Sequence, residues 1–213
     1  MTRVDWHNPS ESFIKDELEF LMSDINTIKQ SVVDSISALE SLKASAGVIA
    51  AAGDGIVAAL KAGNKVLTAG NGGSAAEAMH MAEEFIGRFH ADRVSLPGLA
   101  LCADATALTC IGNDYGFDAV FSRQVEGLGK PGDILVLFST SGNSCNIIQA
   151  LEAARKIGMK TLCLLGHSGG KLAGQGTWEV IIPAPATARI QEAHQVVVHI
   201  LLEIVEKAFV RPS

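Results

Sequence analysis

From Lys65 onward, short runs of strand-forming apolar residues alternate with segments whose apolar residues recur at helical spacing, and no other feature restricts the fold as much. Lys65-Val66-Leu67-Thr68-Ala69 reads as a strand, Ser74 to Phe89 as a helix, and Gly98-Leu99-Ala100-Leu101-Cys102 as a second strand. Short helical stretches follow Asp104 and Phe117. Asp133 to Phe138 and Lys160 to Leu165 read as strands on either side of a helix from Cys145 to Ile157. Glu179 to Ile182 makes the last strand, and Arg189 to Ala208 a long final helix. Strands that alternate with helices pair in parallel through crossovers, so the expected fold is α/β: a doubly wound, mainly parallel five-stranded sheet flanked by helices. Sheets of this kind take ligands beyond the carboxyl ends of their strands.

Before the first strand, from about Ser10 to Gly63, apolar residues stand at helical spacing, first Phe13, Leu18 and Leu21, then Ile36, Leu39, Leu42 and Val48. Two helices therefore precede the sheet. A chain of 213 residues suits one structural domain, here a helical segment over 1–62 packed on a core over 63–213.

Several function classes are excluded early. With 48% apolar and 19% charged residues, the chain is too apolar for disorder, yet no uninterrupted apolar run has the length to cross a bilayer. The start, Met1-Thr2-Arg3-Val4-Asp5-Trp6-His7, lacks the apolar stretch of a secretory signal, so a cytoplasmic location is expected. Cys102, Cys110, Cys145 and Cys163 show neither paired spacing nor the density of a disulfide scaffold and read as reduced thiols. A net charge of −6 argues against a nucleic-acid partner, because backbone binding draws on clustered Lys and Arg. It leaves open a small anion held by backbone amides.

Two segments suit such an anion. Thr68-Ala69-Gly70-Asn71-Gly72-Gly73-Ser74 leaves a strand and enters a helix, so its glycines admit close backbone approach while helix-start amides donate. The same residues also fit a tight turn with Ser74 as N-cap, or a relaxed dinucleotide fingerprint of Gly70, Gly72 and Ala75 with Asp92 downstream. Ser139-Thr140-Ser141-Gly142-Asn143-Ser144 concentrates hydroxyls and amides at another helix entry, more than a capping turn requires. Neither segment carries the GxxxxGK[ST] pattern of nucleoside triphosphatases.

Proton-transfer and metal chemistry have their own candidates. His80 and Glu84, four apart, share a helix face; taken alone they read as an exposed helical pair, but their helix begins at the first glycine-rich loop, which suits them to one ion or one substrate. On the last helix Gln191, Glu192, His194, Gln195 and His199 interrupt a series of Val196, Val197, Val198, Ile200, Leu201 and Leu202, and polar groups set in such a series need partners. Eight residues of helix rise about 12 Å, so Gln191 and His199 cannot both be assumed to reach one ion within one chain. A group supplied by a neighbouring subunit relieves that strain. Asn113 and Asp114 form a polar loop able to touch sugar hydroxyls, or a helix stop and turn.

Together these segments resemble the sugar isomerase (SIS) family and, within it, the phosphoheptose isomerases. The resemblance is carried by Gly70-Asn71-Gly72-Gly73-Ser74, Ala78-Met79-His80-Met81-Ala82-Glu83-Glu84, Gly112-Asn113-Asp114-Tyr115-Gly116-Phe117, Ser139-Thr140-Ser141-Gly142-Asn143-Ser144 and Arg189-Ile190-Gln191-Glu192-Ala193-His194. It implies that Asn71, Gly72, Gly73, Glu84, Asn113, Asp114, Ser139, Thr140, Ser141, Ser144 and Gln191 hold a sugar phosphate. It further implies that His80, Glu84, Gln191 and His199 bind one zinc per subunit, and that Glu84 and His199 are the acid and base of an aldose–ketose isomerisation. A homotetramer with sites at subunit boundaries, and N-terminal helices serving oligomerisation, belong to the same implication. Ala188 departs from the pattern, since some members carry an acidic residue there. The contrasting readings are a non-catalytic SIS protein, such as the relative that binds the bacterial replication initiator and lacks the acid/base set, and an SIS isomerase for another sugar phosphate.

Overall fold

The strands read from the sequence are apolar on both faces, and the structure buries both. The computed structural model describes residues 11–210, with side chains from residue 22 onward. Ser10, the polar start over 1–7 and the side chains of Phe13, Leu18 and Leu21 lie outside the described residues.

Helix α1 (Glu11–Ser41) passes through a short 3-10 turn (Leu42–Ser45) into α2 (Ala46–Lys61). Then follow β1 (Val66–Gly70), α3 (Gly73–Ile86), β2 (Gly98–Ala100), α4 (Ala105–Tyr115), α5 (Ser122–Leu128), β3 (Ile134–Ser139), α6 (Cys145–Ile157), β4 (Lys160–Gly166), β5 (Trp178–Ile182) and α7 (Thr187–Phe209). All four strand pairings are parallel, in the order β2-β1-β3-β4-β5.

Alternation along the strands sorts side chains between two cores. Ile134, Val136, Phe138, Leu162 and Leu164 face α2, α3 and α7. Leu135, Leu137, Cys163 and Leu165 face α5 and α6. The strand starts are pinned by Asp133, fully buried, whose carboxylate accepts from the backbone amides of Lys65 and Lys130 and pairs with the Lys65 ammonium.

By length and composition the stretch Met22–Lys61 could span a bilayer, at a mean hydropathy of 1.4, so the sequence reading understated it. About a third of its most apolar window is buried inside the protein, where Ile49, Ala52, Ile56 and Leu60 of α2 enter the core beside α7. Helix α1 is fixed to α7 by Arg189, which donates to the Ser31 carbonyl at 2.7 Å and to the Ser35 hydroxyl at 2.8 Å.

Three departures from the sequence expectation bear on the site, the other boundaries falling within two residues of it. Helix α3 stops at Ile86 rather than Phe89, because the Arg93 guanidinium takes the carbonyls of Glu84 and Phe85 and the chain turns back at Gly87. Strand β2 ends at Ala100 rather than Cys102, where a turn leads into the Asp104 cap of α4. Asn113 and Asp114 are not loop residues: α4 runs through them to Tyr115 and ends at Gly116, whose φ of +85° breaks the helix.

Candidate active site

The sheet's winding reverses between β1 and β3, and that junction is where an open parallel sheet leaves a crevice for ligand. Both anion-type segments leave the sheet there, Gly70–Ser74 from β1 and Ser139–Ser144 from β3. Two reciprocal amide bonds tie them together: Asn71 Nδ2 donates to Asn146 Oδ1, and Asn146 Nδ2 to Asn71 Oδ1, each at 2.9 Å. The Asn71 amide is thus engaged within the chain. Asn146, buried in the first turn of α6, escapes a sequence reading because one asparagine at the head of an apolar helix looks like any polar start.

Helix α3 enters from Gly72, at φ +56° and without a side-chain cap, and α6 enters from Ser144, whose hydroxyl makes no cap bond either. Uncapped helix starts at one edge favour an anion. The alternative reading of Ser74 as N-cap does not hold, since the helix already begins at Gly73 and Ser74 is buried in its first turn. Ser139 Oγ accepts from the Gly142 amide at 3.1 Å and Ser141 Oγ from the Asn143 amide at 3.2 Å. A hydroxyl that accepts keeps its own proton for a ligand. Thr140 and Ser144 are half-buried and Ser141 is exposed.

The second loop holds its shape by backbone-to-backbone packing on the turn after β4. A Cβ at Gly142, where φ is +63°, would stand 1.9 Å from the Gly169 carbonyl oxygen, and one at Gly170 would stand 2.4 Å from the Ser141 carbonyl oxygen. Gly142→Ala therefore combines a disfavoured backbone conformation with a clash against main chain. We expect it to cost at least about 2 kcal/mol in urea-induced unfolding.

Helices α3 and α7 lie side by side with their residues in step. The Gln191 amide covers Gly73 so closely that a Cβ there would stand 2.4 Å from Nε2. One turn on, Gln195 Nε2 lies 2.8 Å from His80 Nδ1 and 2.9 Å from His199 Nε2. The two imidazoles meet edge to face with centres 5.4 Å apart. His80 Nε2, on the other side of its ring, is 3.3 Å from Glu84 Oε1. Phe89, turned out of α3, tilts over His199 at 5.5 Å. His80, Glu84 and His199 are thus brought together in one chain, while Gln191 stays at the first anion loop, on the separation that helix rise requires. Gln195 takes the place between the imidazoles. Glu83 joins the edge of the cluster, since one ligand atom from each of His80, Glu83 and Glu84 lies within 4.8 Å of the others.

Position bears on two further sequence readings. Asn113 and Asp114 are exposed at the end of α4, where Asn113 Nδ2 donates to Asp114 Oδ1 at 2.7 Å; within the described residues no hydrogen bond joins them to either loop. Asp92 lies in the connection after α3 rather than at the end of β2, so the dinucleotide arrangement does not form.

Beneath the site, between the same two helices, lies a second polar pair. Glu77 is 7% exposed and His194 is fully buried. Glu77 Oε2 and His194 Nδ1 are 4.0 Å apart, and among the described residues neither Glu77 oxygen nor Nδ1 has a hydrogen-bond partner. His194 Nε2 meets the Leu165 carbonyl at 3.1 Å. Burial pushes the Glu77 carboxyl up from 4.5 to about 7, eased by the Ser74 hydroxyl one turn back, and pushes His194 down from 6.5 to about 4, opposed by the Leu165 carbonyl. Both groups rest neutral near pH 6.

Residues 30–166 match the SIS domain family. The chain is 49% identical to the phosphoheptose isomerase of Akkermansia muciniphila over 148 residues, which is 70% of this chain and 78% of that protein. It is 48% identical to the phosphoheptose isomerase of Rhodospirillum rubrum over 163 residues, 76% of this chain and 87% of that one. Among solved structures, phosphoheptose isomerase GmhA from Neisseria gonorrhoeae superposes with a TM-score of 0.80 at 40% identity, over 85% of this chain and 98% of that chain. The phosphoheptose isomerase of Francisella tularensis superposes with a TM-score of 0.83 at 37% identity, over 86% and 98%.

Proposed function

The chain belongs to the SIS domain family, and on that premise we propose that it is an aldose–ketose isomerase converting sedoheptulose 7-phosphate to D-glycero-D-manno-heptose 7-phosphate. The observation that carries this reading is the ladder along α3 and α7. Anion-binding loops and the Gln191 amide stand at one end of it, and His80, Glu84 and His199 about two to three turns further on. A sugar held by its phosphate at the loops extends toward groups that exchange protons.

The reaction moves one proton from C1 to C2 and another between their oxygens, through an enediol-type intermediate. One of Glu84 and His199 removes the carbon-bound proton and the pair redistributes protons on the oxygens; a carboxylate and an imidazole serve near neutral pH. Ser139, Thr140, Ser141 and Ser144, with the α3 and α6 amides, bind and orient the phosphate, and Asn71, Gly72 and Gly73 line the same pocket. Asn113 and Asp114 would meet the sugar from a neighbouring subunit.

The donor set fits one zinc per subunit, since an imidazole nitrogen and carboxylate oxygens of His80, Glu84 and Glu83 converge. His80, Glu84 and His199 would hold it, joined by Gln191 of an adjacent subunit. When bound, zinc supplies polarisation of the two reacting oxygens and stabilises their developing negative charge.

A homotetramer is part of the proposal, supported by apolar surface on the N-terminal helices. Met22, Ile25, Ile28, Val32, Val33 and Ile36 are exposed along α1, and Leu39, Leu42 and Ile49 border an apolar groove of about 420 Å³ against Val196, Ile200 and Ile204 of α7. The segment over 1–62 would then pack on neighbouring subunits as well as on the core. A cytoplasmic enzyme making the first intermediate of activated heptose, for lipopolysaccharide or another surface glycan, completes the reading.

Purified protein is expected to produce the heptose 7-phosphate from sedoheptulose 7-phosphate, and to process other ketose phosphates less well. Stripping with a chelator should slow turnover by roughly 100-fold or more, the equivalent of about 2.7 kcal/mol or more, and zinc should restore it. Absence of product from the zinc-loaded protein would instead support a non-catalytic SIS protein.

A further inference from the structure

We infer that Gln195 is a positioning residue for His80, its carboxamide making a half-turn that lets the same imidazole serve the site with and without a cation. The inference rests on the zinc reading above.

The two ring nitrogens of His80 face different partners. Nε2 looks toward Glu84 Oε1 at 3.3 Å, and Nδ1 toward the Gln195 amide at 2.8 Å. A carboxylate accepts and cannot donate, so without a cation the ring's proton sits on Nε2 and points at Glu84. Nδ1 is then a bare lone pair and needs a donor, which the Gln195 NH₂ group provides. The second N–H of that group reaches His199 Nε2 at 2.9 Å. One amide nitrogen thus satisfies both imidazoles.

A cation on the Glu84 side reverses the demand. Nε2 must give up its proton to present a lone pair, the ring's proton moves to Nδ1, and the partner of Nδ1 must now accept. A carboxamide ends in a donor and an acceptor of similar size, so a half-turn about its last bond brings Oε1 to Nδ1–H. An imidazole that ligates a metal is held in place by such an acceptor on its other nitrogen. The same half-turn faces His199 Nε2 with an oxygen, so that nitrogen carries its ring's proton in the loaded state and His199 has only Nδ1 to offer the cation. A hydrocarbon at position 195 could answer neither demand, and a hydroxyl, with one proton, could donate to only one of the two imidazoles without a cation.

The test is a zinc titration of the full chain against a chromogenic chelator, with the unfolding temperature of each metal-free variant measured alongside. Gln195→Leu should bind zinc about 10–100-fold more weakly than wild type. Gln195→Glu, which keeps an oxygen toward Nδ1, should bind at least as tightly as wild type. A leucine variant that binds as tightly as wild type overturns the role of Gln195 and leaves the zinc reading intact, whereas wild-type protein that takes up no zinc overturns both. A readout on wild type alone guards against a leucine variant that does not fold: long-range imidazole ¹⁵N–¹H correlations should show the His80 proton on Nε2 without zinc and on Nδ1 with it. An unchanged tautomer overturns the inference.

Discussion

Glu84→Gln is expected to lower kcat on sedoheptulose 7-phosphate by about 10³-fold while leaving the fold and the proposed phosphate-binding end of the site intact. The substitution keeps the size of the side chain and an oxygen for His80 Nε2, so the contact at 3.3 Å can persist. What it removes is the capacity to take and return a proton, together with the charge of a proposed zinc ligand, so the comparison is made with both proteins at saturating zinc. Glu84 side-chain burial is incomplete, with 16% exposed, and its backbone carbonyl is held separately by Arg93, so thermal unfolding should shift little. KM should also change little if the loops at the β1/β3 junction supply most of the binding, because they lie about 16 Å of helix rise from Glu84. A fall in kcat with KM preserved is the signature of a group used in the transition state rather than in ground-state binding. Wild type that forms no more product than Glu84→Gln would remove the enzymatic reading altogether.

The sheet was legible because its central strands are buried on both faces and therefore written as apolar runs, such as Ile134-Leu135-Val136-Leu137-Phe138, with β1, β3 and β4 closed by glycine or serine at the ligand edge. The loops were legible for the same reason, since Gly70–Ser74 and Ser139–Ser144 follow those runs directly. What escaped was determined between elements rather than along them. Gln195 sits between two imidazoles because α3 and α7 lie in step, a register no single-helix pattern encodes. Asn146 is likewise defined by its partner across the crevice. Asn113 and Asp114 looked like a loop because Gly112 and Gly116 flank them, yet the Asp104 cap, accepting from the amides of Thr106 and Ala107, together with half-buried Leu108 and Ile111, carries the helix through.

Glu77→Gln is expected to stabilise the protein at pH 8 by about 3 kcal/mol, from a carboxyl that rises from 4.5 to about 7 on folding at roughly 1.4 kcal/mol for each pH unit of difference. Between those values the unfolded chain has released the Glu77 proton and the folded chain still holds it, so this group's contribution declines as pH rises and the full penalty remains above pH 7. His194 acts in the opposite sense. With its folded value lowered to about 4 from 6.5, the folded chain binds fewer protons between those limits, and stability rises with pH across them. The two slopes nearly cancel between pH 4.5 and 6.5, so wild type should show a flat pH dependence from this pair there and a loss only near pH 7. Glutamine keeps an N–H for the bare Nδ1 of His194, 4.0 Å from the present carboxylate, and has no charge to bury. Its unfolding curve should therefore climb from pH 4 to 6.5 and stay high, matching wild type at pH 4.5 and exceeding it at pH 8. Urea unfolding at those two pH values, at one protein concentration, measures the difference. Equal stability at pH 8 would mean that Glu77 is ionised in the folded protein at ordinary cost, with a partner or solvent that the interface between α3 and α7 does not contain.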